Sequence, residues 1–89
     1  MVKKTPYEEI SVSGEYVIRT FKNAVEDEEL KWHFDEEDRT VEPIEETDWM
    51  FQFNNELPFV MESKIFIPKG KWHRIIKGKS DLSVKIFKT

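Results

Sequence analysis

The sequence predicts an all-β domain of the antiparallel sandwich or barrel kind. Three observations carry that prediction. There are about eight short runs of β-forming residues, turn signals fall roughly every 8–12 residues, and no segment shows the apolar stripe of a long helix. Tyr16-Val17-Ile18-Arg19-Thr20-Phe21 is the first run. Leu30 to Asp35 alternates, which puts Leu30, Trp32 and Phe34 on one face of a strand and Lys31, His33 and Asp35 on the other. Arg39 to Ile44 is next, with Pro43 marking an edge or a bulge. Trp49 to Phe53 alternates again, with Gln52 opposite the aromatics. Asn54-Asn55 signals a tight turn, and Glu56 to Met61 the returning strand. Lys64 to Ile67 runs into Pro68-Lys69-Gly70, Trp72 to Ile76 resumes, Lys77-Gly78-Lys79-Ser80 turns, and Leu82 to Phe87 closes the chain. Val25 to Leu30 is acidic without an apolar stripe. Residues 1–14 read as a loosely attached arm and residues 15–89 as a single domain.

Length excludes larger architectures. At 89 residues and 10.7 kDa the chain is one domain at most, too short for a doubly wound sheet, a (β/α)₈ barrel or a two-domain enzyme. A composition 38% hydrophobic and 36% charged favours a folded domain with a small core. With no cysteine, disulfides, thiolate zinc sites and cysteine nucleophiles are excluded, which fits a reducing compartment. No apolar run approaches the roughly 18 residues of a membrane span, and no apolar stretch follows the basic start, so a cytoplasmic location is expected. The net charge of −4 argues against a general nucleic-acid binder.

Charge is distributed unevenly. Glu26 to Asp48 carries 12 acidic side chains and only Lys31 and Arg39 as basic ones. Lys69 to Lys79 carries five basic side chains and no acidic one. The basic run reads as a solvated face, as a surface meeting an acidic loop of a second subunit, or, last, as a phosphate-backbone contact.

The chemistry-bearing residues are few. His33 and Asp35 lie two apart and so present an imidazole and a carboxylate to one side. His73 follows a Pro-x-Gly turn and supplies a third ligand if the sheet curls back. Two histidines and a carboxylate suit iron, manganese or zinc, with positions left open for water or a substrate. The plainer alternative is a half-exposed strand histidine and a turn histidine with no shared role.

The segment Pro68-Lys69-Gly70-Lys71-Trp72-His73, together with the strand count, resembles the cupin superfamily. Cupins carry a second motif of Gly-x₅-Pro-x-Gly-x₂-His. Pro68, Gly70 and His73 keep its spacing, and Glu62 stands where its first glycine belongs. Of the first motif, His33 matches the first histidine and Asp35 replaces the second. Arg39 or Thr40 falls at the glutamate ligand, and Glu45 or Glu46 at the glycine. The resemblance implies an antiparallel cupin-like jelly roll, or double-stranded β-helix, over roughly residues 15 to 88, and a homodimer. His33, Asp35 and His73 then also look like the metal triad of iron- and 2-oxoglutarate-dependent oxygenases.

Arg39 has no acceptor and cannot bind a metal; it pairs with Asp35 or Asp38, or clamps an anionic ligand. Gln52 reaches a ligand if it faces the barrel mouth. The expected function is a small cupin-like protein binding a divalent metal through His33, Asp35 and His73 and acting on a small anionic metabolite. The alternative is a non-catalytic binding or assembly module in which Arg39 has displaced the metal.

Overall fold

Alternation along the last strand organises the structure, a computed structural model that describes residues 7–23 and 30–88. The described residues form eight strands: β1 (Tyr7–Ser11), β2 (Tyr16–Phe21), β3 (Arg39–Pro43), β4 (Met50–Phe53), β5 (Phe59–Val60), β6 (Ile65–Ile67), β7 (His73–Ile76) and β8 (Leu82–Lys88). Leu82, Val84 and Ile86 of β8 point inward and are buried, as period-two alternation requires. β8 lies at the centre of a five-stranded sheet ordered β1-β2-β8-β3-β6, and a second sheet is ordered β5-β4-β7. Every strand pair is antiparallel.

Register builds the core row by row. Val17 of β2 and Val41 of β3 both pair with Ile86, and Val41 also pairs with Ile65 of β6, so four apolar side chains cross the inner face of the large sheet. Phe51 of β4 meets them from the small sheet, with Trp49 and Met61 at its flanks. Trp49 is fully buried, and its indole N–H donates to the Ser80 carbonyl, so the burial leaves no donor unpaired. The Asn54-Asn55 turn forms as expected: Glu56 N–H donates to Phe53 O, and Asn55 takes a left-handed φ of 65°.

Three expectations are corrected. Leu30 to Asp35 is not a strand; its pairing is the isolated bridge between His33 and His73. Leu30 is buried, but Trp32 packs against Arg74 and Phe34 against Trp72 on the exposed outer side, so the alternation marks an extended loop. The expected strand from Glu56 to Met61 shrinks to Phe59–Val60, because Pro58 has no N–H to give a ladder. Finally, part of the expected arm, Tyr7–Ser11, is strand β1, paired along its length with β2. The first six residues of that arm, and Val25 to Glu29 of the acidic stretch, lie outside the described residues. No helix among the described residues is long and apolar enough to cross a membrane.

The rows predict where substitutions matter. Ile86→Ala removes a buried side chain from the central row and is expected to lower the unfolding free energy by about 2–4 kcal/mol in urea denaturation. Leu57→Ala, at an exposed loop position, is expected to cost less than about 1 kcal/mol.

Candidate metal centre

Two segments distant in sequence are joined face to face at the mouth of the sandwich. His33 N–H donates to His73 O at 3.0 Å, and His73 N–H donates back to His33 O at 2.9 Å. Residues directly opposite in an antiparallel pair share a face, so this reciprocal pair sets the two imidazoles side by side, with ring centroids 4.4 Å apart. The turn below holds the register. Lys71 N–H donates to Pro68 O at 3.1 Å across a turn whose third residue, Gly70, has φ +79°, a conformation that the missing Cβ makes inexpensive. Gly70 N–H donates to Asp35 O, and Lys69 N–H to the Asp38 carboxylate. The loop from His33 to Asp38 is thereby laid along the Pro68–His73 turn.

Both imidazoles are oriented in the same way. Nδ1 of His33 lies 2.9 Å from Lys31 O, and Nδ1 of His73 lies 2.8 Å from Lys71 O. A carbonyl only accepts, so Nδ1 is the donor in each ring, and in a neutral imidazole Nε2 is left as the acceptor. A backbone acceptor on the far nitrogen is the arrangement that fixes metal-ligating histidines. Asp35 completes the group, with Oδ2 3.6 Å from His73 Nε2. One ligand atom from each of His33, Asp35 and His73 lies within 4.8 Å of the others. The donor set and its spacing are those of a group that could hold a metal ion.

His73 is buried, with Phe51 stacked on its ring at 12° and 5.4 Å between centroids. Burial pushes its pKa below the ordinary 6.5; the Lys71 carbonyl and Asp35 raise it, while the charges of His33 and Arg39 lower it further. The folded state then binds fewer protons at this site than the unfolded chain.

The site opens into a cavity of about 950 Å³ between the sheets, lined by core side chains and by Arg19, Lys31, His33, Asp35, Arg39 and His73 among its polar members. Arg39 lines the same cavity. It forms no ion pair with Asp35 or Asp38 among the described residues, and its Nε is buried without a hydrogen-bond partner there. Gln52 is not brought in. It pairs with Arg74 on the outer face of the small sheet, where its Nε2 donates to Glu56 O and its Oε1 accepts from Arg74 Nε. Sequence reasoning missed Arg19, which lines the cavity from β2. The signal was present: Arg19 shares the phase of Val17 and Phe21, the inward face.

No protein-family model matches the chain, and no curated protein matches it. Solved structures do. A protein from Neisseria meningitidis superposes with a TM-score of 0.62 at 18% identity, covering 99% of this chain and 89% of that one. A cupin-2 domain containing protein from Shewanella frigidimarina gives 0.60 at 16% identity, covering 97% and 81%. A cupin domain from Bordetella pertussis gives 0.63 at 14%, covering 100% and 99%. At these identities the likeness is one of fold, and the cupin-like jelly roll expected from the sequence is the fold observed.

The His73 shift has a measurable sign. In metal-free protein, acidification from about pH 7.5 to 5.5 is expected to lower the unfolding free energy, because the unfolded chain takes up a proton near 6.5 that buried His73 takes up only at lower pH. His73→Gln is expected to flatten that part of the profile in urea denaturation at fixed pH.

Proposed function

We propose that this small cupin fold binds one divalent metal ion, iron, manganese or zinc, through His33, Asp35 and His73, and presents it to a small anionic metabolite in the inter-sheet cavity. The observation that carries the reading is the matched pair of imidazoles, each with Nδ1 on a backbone carbonyl, and each with one ligand atom within 4.8 Å of the other's and of an Asp35 oxygen. An ion held there supplies Lewis-acid or redox chemistry at its open coordination positions. The protein's own residues do the rest. The reciprocal His33–His73 backbone pair fixes the ligand spacing, Phe51 covers one face of His73, and core side chains wall the cavity beyond it.

Calorimetric titration of metal-stripped protein at neutral pH tests this. Uptake of one zinc, manganese or iron(II) ion per chain is expected. His33→Ala removes an exposed ligand and is expected to abolish uptake while changing unfolding free energy by less than about 1 kcal/mol. Absence of uptake by the wild type would leave the alternative, a binding module with a lapsed metal site.

We also propose that the domain pairs with a second copy of itself. Phe59 and Val60 on edge strand β5 and Phe66 on edge strand β6 are exposed apolar side chains beside unpaired strand edges, which supports burial by a partner. Sedimentation at micromolar concentration is expected to give a species of twice 10.7 kDa; a 10.7 kDa species alone would refute the pairing.

A further inference from the structure

We propose that the inter-sheet cavity binds a small monocarboxylate with an apolar body, the carboxylate seated on Arg39 and the body lying among the core side chains. The inference deepens the reading of the metal centre, since it names the ligand class for the same cavity, but the contact with Arg39 needs no ion.

Register fixes where Arg39 lies. It pairs with Ile67 of β6 and alternates with Val41, and both of those side chains are buried on the inner face of the large sheet. The guanidinium is therefore carried on a core-facing position, and Arg39 lines the cavity. Its Nε is buried with no hydrogen-bond partner among the described residues. A buried donor left unmade is costly, more so on a charged group, and such an atom is the recognisable mark of a missing acceptor.

Among the described residues the neighbouring acids make no ion pair with it. Asp35 stands beside His73 Nε2 and makes no ion pair with Arg39, and the Asp38 carboxylate accepts from Lys69 N–H. The cavity's other inward guanidinium shows the contrast. Arg19 is neutralised by Glu9, with its Nη2 at 2.6 Å and Nε at 2.9 Å from one carboxylate oxygen, and it lies 3.9 Å over the Tyr7 ring. Among the described residues Arg19 is occupied, and Arg39 Nε is not. Lys31 adds a further positive charge to the lining, and Asp35 is the one carboxylate there among the described residues.

The acceptor that matches a guanidinium edge is a planar carboxylate, which takes two parallel N–H groups. The walls decide what is attached to it. Val41, Phe51, Ile67, Ile75 and Val84 line the space beyond Arg39, so an aliphatic or aromatic body is favoured there and a compact, strongly hydrated polyanion is not.

Hexanoate titrated into metal-free protein, followed by calorimetry and by methyl resonances of Val41 and Ile67, tests the assignment. Saturable binding with shifts at those methyls is expected. Hexanamide, the uncharged counterpart, and inorganic phosphate are each expected to bind at least about tenfold more weakly. Arg39→Gln is expected to weaken hexanoate by about 30-fold or more, and Arg39→Lys, which keeps the charge but loses the planar fork, by a smaller factor. Gln52→Ala, on the outer face of the small sheet, is expected to keep hexanoate affinity within about twofold. Zinc uptake by the same wild-type protein separates the two readings: hexanoate binding without any zinc uptake defeats the metal centre and leaves this proposal standing. The proposal is overturned by hexanamide or phosphate binding as tightly as hexanoate, by unchanged affinity in both Arg39 variants, or by hexanoate binding only to zinc-loaded protein, which would place the carboxylate on the ion.

Discussion

Two backbone hydrogen bonds join His33 to His73, and most of what is functional in the domain follows from them. They make an extended loop behave locally like a strand, so that its side chains take a defined side. They also close the mouth of the sandwich, since His73 begins β7 of the small sheet while the loop from His33 leads into β3 of the large one. Each partner is further pinned by its own Nδ1 contact, to Lys31 O and Lys71 O. The result is nearly symmetrical about the bridge. Orientation comes from backbone carbonyls and so does not depend on a second layer of side chains, which a domain of this size has little room to supply.

The second constraint is electrostatic. A small apolar interior that admits two inward arginines must neutralise or hydrate each of them. Arg19 is held by Glu9 on the neighbouring strand and by the Tyr7 ring, so β1 contributes charge balance to the cavity as well as a sheet edge. Arg39 carries its cation on the inner face of β3, and that charge sets the character of the cavity. Asp35 remains beside His73, and the group stays within coordinating distance.

Much of this was legible in the residues. Leu82, Val84 and Ile86 announced β8 by alternation, and Pro68-x-Gly70 announced the turn that delivers His73. The two-residue spacing of His33 and Asp35 put them on one side, although the segment is a loop, because alternation reports an extended backbone and not its hydrogen-bond partners. β1 was hidden for the converse reason. Glu8, Glu9 and Ile10 are exposed, so no apolar phase marks a strand whose pairing is made by the backbone and by Arg19. Gln52 was ambiguous from sequence, since one face of β4 is core and the other is outer surface. Its opposite number, Arg74, decides the matter, and that partner is set by register, which alternation within one strand does not reveal.

The bridge between His33 and His73 also has a kinetic meaning. It is a contact between segments widely separated along the chain, in a domain whose large sheet likewise pairs early strands with the last one. Such closures come at an entropic cost that local contacts do not offset, so topologies built from them fold slowly. The three ligand atoms therefore converge only after β7 has docked and the chain has doubled back on itself. No contiguous fragment shorter than the span from His33 to His73 contains the site. The convergence of these three side chains is thus a late event in folding, and it reports that the sandwich has closed.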